Sequence, residues 1–163
     1  MDLYQIDDEG RLFMSADLRD WSHVQPHGID VVIDVDGGLD MCIPTMSNHC
    51  LYVYFPFDDD DQQLPSATKL RAIAQMGASL IQDGHRVLAH CGMGYNRSGL
   101  IAGMILKALG MPGIAAVARI RTNMQSPFEG SSRLKHVLAR YDITHGCYRR
   151  KRAARLAETL SHP

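Results

Sequence analysis

The stretch His90-Cys91-Gly92-Met93-Gly94-Tyr95-Asn96-Arg97-Ser98-Gly99 places one thiol and one guanidinium six positions apart in a run with three glycines. A guanidinium can fork onto two oxygens of one oxyanion. Gly92, Gly94 and Gly99 let the backbone curl so that successive N–H groups point at one centre, a nest for a tetrahedral anion. A helix that starts here adds its unpartnered first amides and its dipole. The field that holds phosphate also favours thiolate over thiol at Cys91. A thiolate beneath a bound phosphoryl group is a nucleophile aimed at phosphorus. Taken singly, these residues read as a small buried hydrophobe, a surface charge and a turn. Taken together at one junction, they read as a catalytic loop.

Such a loop needs a rigid frame. Val87-Leu88-Ala89 is a short apolar run that reads, from Arg86, as a buried strand. Leu100 to Leu106 is long enough for a helix, predicted from Ser98 to about Leu109 and stopped by Gly110. A strand, a glycine loop and a helix start thus follow in order.

His90-Cys91-x-x-Gly94-x-x-Arg97-Ser98 resembles the signature of the cysteine-dependent protein tyrosine phosphatases, and the short chain resembles their dual-specificity group. The resemblance is strongest over residues 88–100 and covers roughly 50–135. It implies a phospho-cysteine intermediate on Cys91. It implies phosphate and transition-state binding by Arg97 and the amides of Gly92, Met93, Gly94, Tyr95 and Asn96. It implies that Ser98 stabilises the leaving thiolate and that His90 orients the loop.

Phosphoryl transfer to a thiolate leaves an alkoxide or phenoxide that needs a proton. The run Asp58-Asp59-Asp60-Asp61 is the place to look for the donor. Four acids in a row also describe a solvated turn, although crowding of like charges favours keeping one member protonated. In the dual-specificity group the acid precedes the thiol by about thirty residues, and Phe55-Pro56-Phe57-Asp58-Asp59 resembles that loop. Asp59, 32 positions before Cys91, is the expected acid. Asp58 is the first alternative and Asp60 the second.

The rest of the chain supplies an α/β domain spanning 1–163: a central, mostly parallel sheet flanked by helices, tyrosine-phosphatase-like. Tyr4–Ile6 and Arg11–Met14 read as a hairpin around the acidic turn Asp7–Gly10. Trp21 opens a short helical segment, ending at Gly28, that should pack over the sheet edge. Ile29–Val35 and Leu51–Phe55 read as strands. Asp34 and Asp36, at the end of the first, read as turn acids. Pro65 suits the first position of a helix to Asp83, with Leu70, Ile73, Ala74, Gly77, Leu80 and Ile81 at core spacing and Gly84 as its stop. Further helices are expected over 112–121, 131–140 and 148–160.

Charge is divided unevenly. Residues 1–61 hold 14 acids and 2 bases, whereas 62–163 hold 4 acids and 15 bases. The basic part carries the thiol loop, which suits an anionic substrate, and the two parts should also attract each other on folding. The cluster Arg149-Arg150-Lys151-Arg152 could meet nucleic acid or an acidic partner, though most such runs are solvated. No apolar run is long enough for a membrane span, and the start lacks the features of a secretory signal. Cys42, Cys50, Cys91 and Cys147 have no C-x-x-C spacing, so neither a metal nor a cofactor is expected, and a reduced, cytoplasmic setting is. Cys42, Cys50 or Cys147 would protect an oxidised Cys91 only within disulfide reach.

The expected substrate is a phosphorylated protein or peptide, phosphotyrosine first, with phosphoserine and phosphothreonine also admitted. The variable loop positions Gly92, Met93, Tyr95 and Asn96 are not basic, which disfavours polyphosphorylated inositol lipids. Tyr95 is read either as a pocket wall or as packing beneath the loop. Arg119 and Arg121 are read as structural or secondary anion contacts. The alternatives are a phosphatase of a phosphoinositide, nucleotide or RNA, a non-catalytic phosphate-binding adaptor, and rhodanese-like sulfur transfer. An adaptor of this kind usually lacks the thiol or the guanidinium, and sulfur transfer needs neither the acidic loop nor Ser98.

Overall fold

The computed structural model describes residues 2–60, 63 and 65–124. Five strands form one sheet: β1 Leu3–Gln5, β2 Leu12–Ser15, β3 Val31–Asp34, β4 Leu51–Tyr54 and β5 Val87–His90, in the order β1-β2-β5-β3-β4. The β1–β2 pair is antiparallel and the other three pairings are parallel. The expected hairpin and the mostly parallel sheet are both present. A strand, helix, strand order implies that the strands flanking the helix between β4 and β5 pair in parallel. Instead β3 lies between them.

The three central strands are buried at every position, while β1 and β4 are partly exposed edges. Successive side chains on a strand point to opposite faces. Accordingly Leu12, Met14, Val31, Ile33, Val87 and Ala89 enter the main core, and Phe13, Val32 and Leu88 enter a second one. Leu18, Trp21, Val24 and Ile29 fill the second core. The Trp21 segment, two 3-10 turns over Trp21–His23 and Gln25–His27, therefore covers a face of the sheet and not merely its edge.

Three helices pack on the main-core face: α1 Ala67–Gln82, α2 Asn96–Ala108 and α3 Gly113–Met124. The N-cap of α1 is Ser66, whose hydroxyl accepts from the Lys69 amide, so Pro65 lies one residue outside the helix rather than at its first position. Gly84, at φ +100°, follows its C-cap. Helix α2 is buried continuously from Ser98 to Leu106, because sheet, α1 and α3 surround it. Each large side chain there, Leu100, Ile101, Met104, Ile105 and Leu106, contributes about 1.5–3 kcal/mol of burial. Gly77 permits this packing: a Cβ there would stand 2.8 Å from Ile105 Cδ1. The helices expected at 131–140 and 148–160, the basic cluster and Cys147 lie outside the described residues.

Candidate active site

Strand register brings the chemistry to one edge. His90 pairs with Ser15 on one side and Asp34 on the other, and Asp34 pairs with Tyr54. The residues that follow these four emerge together: Cys91 from β5, Val35-Asp36 from β3, and the acidic loop from β4. Ligand sites of parallel sheets form at the carboxyl ends of the strands.

Cys91 is 2% exposed and borders the main core, but its sulfur has polar contacts. Sγ accepts the Gly94 amide hydrogen at 3.2 Å and lies 3.4 Å from Ser98 Oγ. Both partners come from the same loop and from the first turn of α2. Gly94 makes the curl possible. Its φ is +74°, and a Cβ would stand 2.6 Å from Ala16 N and 2.7 Å from Ser15 C. No side chain caps the start of α2, so its first amides remain available to an anion. Met93 is exposed on the loop, and Tyr95 packs against the main core beneath it.

Arg97 is braced at three points by the segments that follow β3 and β4. Nη1 donates to Val35 O at 3.2 Å and to Phe57 O at 3.4 Å, and Nη2 lies 2.9 Å from Asp36 Oδ1. Its Nε is buried with no partner among the described residues. Burial opposes ionisation of Asp36, but the Gly37 amide, Arg97 and the Gly92 amide outweigh it and hold the carboxyl below the usual carboxylate range. Asp36 is therefore more than a turn acid. The ion pair also joins the acidic part of the chain to the basic part, as does Arg119–Asp8. Arg119 and Asn123, which donates to the carbonyls of Gln5 and Ile6, tie α3 to the N-terminal hairpin.

The acidic loop reaches the thiol loop through Asp59, whose Oδ2 accepts from Asn96 Nδ2 at 2.9 Å. Asp58, Asp59 and Asp60 are all exposed. Among the described residues no side-chain hydrogen bond or ion pair ties Asp58 to the thiol loop.

Behind the loop lies a buried polar cluster. His90 is 1% exposed, with Nε2 2.9 Å from Asp40 Oδ2 and 3.8 Å from Asp34 Oδ1, yet neither ring nitrogen has the alignment of a hydrogen bond. The Tyr52 hydroxyl donates to Asp34 Oδ2 and accepts from the Asp40 amide at 3.1 Å, while the Asp36 amide donates to Asp34 Oδ1 at 2.8 Å. Burial raises the Asp34 carboxyl, against the Tyr52 and Asp36 hydrogen bonds and the His90 charge, and burial with the Asp34 bond raises the Tyr52 hydroxyl. Ligand-type atoms of Asp34, Asp40 and His90 lie within 4.8 Å of one another, so these three could hold a cation. Their present contacts make them a brace between the thiol loop and the segment after β3. The role of Asp40 and Tyr52 carried no signal in the sequence, since neither lies near the motif.

Cys50 precedes β4 and is level with Arg86, five residues before Cys91. That is roughly 16 Å along the strands, beyond disulfide reach. Cys42, Cys50 and Cys91 are free thiols. Among the described residues no helix is long and apolar enough to cross a membrane.

No family model and no curated relative matches the sequence. Solved structures do match in shape. Human DUSP28 superposes with a TM-score of 0.69 at 14% identity, over 85% of this chain and 94% of that one. Tk-PTP in its active form gives 0.66 at 19%, over 85% and 95%. PTPMT1 in complex with PI(5)P gives 0.65 at 15%, over 85% and 96%. This chain thus has the fold of the dual-specificity group of cysteine-dependent tyrosine phosphatases.

Proposed function

We propose that the protein hydrolyses phosphomonoesters through a phospho-cysteine intermediate. One observation carries this reading. Arg97 keeps a buried Nε–H with no partner among the described residues, and the thiol of the same loop receives a loop amide and faces a hydroxyl. An unpartnered buried donor costs about 1–3 kcal/mol, which an oxyanion ligand would offset.

In the first step the Cys91 thiolate attacks phosphorus, and the bond from phosphorus to the ester oxygen breaks. Asp59 gives its proton to the departing oxygen. In the second step water attacks phosphorus, ionised Asp59 takes the water proton, the phosphorus–sulfur bond breaks, and the sulfur leaves as thiolate. The Ser98 hydroxyl, 3.4 Å from Sγ, stabilises that thiolate by hydrogen bonding. Arg97 and the loop amides, which come from Gly92 to Asn96, hold the equatorial oxygens throughout. His90 supports the loop from behind through the Asp34–Asp40–Tyr52 cluster.

The substrate we favour is phosphotyrosine in a protein or peptide, with phosphoserine and phosphothreonine admitted. The loop offers no lysine to meet further phosphates. PTPMT1, solved with PI(5)P, shares the fold, so a phosphoinositide belongs in the test.

The test is phosphate release by the wild type and by Cys91→Ser from phosphotyrosyl, phosphoseryl and phosphothreonyl peptides, a phosphoinositide and a phosphorylated nucleotide. The wild type should act on the phosphotyrosyl peptide best. Cys91→Ser should lose turnover by on the order of 10³-fold or more while still binding inorganic phosphate. Turnover that survives the substitution, or no release from any substrate, would refute the reading.

A further inference from the structure

Asp36 stands two residues past the end of β3, against the thiol loop. Its Oδ1 lies 2.9 Å from Arg97 Nη2. Its two carboxylate oxygens lie 3.1 and 3.3 Å from where a Gly92 Cβ would be, so any side chain at that position would displace it. Arg97 has five N–H donors. Those on Nη1 face the carbonyls of Val35 and Phe57, and one on Nη2 faces Asp36. Nε–H has no partner among the described residues, and with the Nη2 hydrogen on its side it forms the planar edge that forks onto an oxyanion.

We propose that Asp36 is a positioning residue for the reaction: its carboxylate holds Arg97 so that the Nε–Nη2 edge is presented to the phosphoryl group. Asp36 does not touch substrate. It acts through the guanidinium, together with the two carbonyls on the opposite edge. This rests on the phosphatase reading above, because it assigns a role relative to bound phosphate. A guanidinium free to rotate would spend part of its time with the wrong edge inward, weakening both phosphate binding and transition-state stabilisation.

The experiment compares Asp36→Ala and Asp36→Asn with the wild type, using a phosphotyrosyl peptide for steady-state kinetics and orthovanadate as inhibitor. Circular dichroism and thermal melts check folding. Asp36→Ala should lower kcat and raise the vanadate inhibition constant, each by about tenfold, as expected for loss of a charge-assisted hydrogen bond. Asp36→Asn keeps an oxygen that can accept from Nη2 and should recover most of both. A purely structural role predicts lowered thermal stability with unchanged vanadate inhibition in the folded fraction, and that result would overturn the proposal. So would failure of Asp36→Asn to recover either constant when both variants melt alike. An active wild type with an unaffected Asp36→Ala removes only the role of Asp36. A wild type that neither turns over nor binds vanadate removes the phosphatase reading and this inference with it.

Discussion

Asn96 donates from Nδ2 to Asp59 Oδ2 at 2.9 Å, joining two loops whose residues are 37 positions apart. Asn96 is the first residue of α2 and precedes Arg97. Arg97 donates to Phe57 O in the same acidic loop, so adjacent residues hold that loop at two points. With one carboxyl oxygen engaged by Asn96, the other is left to carry the proton. Asp59→Asn should slow hydrolysis of phosphotyrosine by about 10²–10⁴-fold, the usual worth of a general acid. An ester whose leaving group needs no proton should be much less affected. Asn96→Ala should show the same dependence on leaving group with a smaller loss, about tenfold. A loss that is equal across leaving groups would remove Asp59 from the role of acid.

Ser98 lies close enough to Sγ to act on the second chemical step. Ser98→Ala should leave the first attack nearly intact and slow hydrolysis of the phospho-enzyme by about tenfold. Rapid mixing with an aryl phosphate should then show a burst of phenol followed by a slow steady state. If the burst is absent and both phases slow equally, Ser98 serves only to pack the first turn of α2.

Gly94 cannot be replaced without moving the end of β2. The strained φ and the contact with Ser15 and Ala16 act at once. Gly94→Ala should destabilise the fold by about 2–4 kcal/mol and abolish phosphate binding. A variant that melts like the wild type would show that the loop does not need this curl.

Asp34 gives the chain a pH-dependent stability. Its carboxyl is raised, so the unfolded chain ionises it first. The contribution is therefore fully present below the ordinary carboxylate range and is lost as pH rises through the higher folded value. Asp34→Asn removes this titration. The stability of the wild type relative to Asp34→Asn should fall as pH rises above the ordinary carboxylate range, measured by urea unfolding. A difference that stays constant through that rise would show that Asp34 has an ordinary carboxyl.

The thiol loop, the sheet strands and the helices through α3 were legible because they are local. Alternation and helical spacing mark which faces are buried, and a glycine loop between a strand and a helix has few other uses. Cys91 and Arg97 stood out by residue type and spacing, whereas the roles of Ser98 and Asp59 entered through the resemblance to the phosphatase family. The partners of Arg97 and His90 did not, because they lie on the segments that follow other strands. Asp36 looked like any acid after a strand until parallel pairing of β3 with β5 set it beside Arg97. Asp40 and Tyr52 reach His90 through a loop and an edge strand with no periodic signal. Order along the chain decides which elements form, but which elements lie side by side depends on burying both faces of one sheet, and only the folded chain settles that.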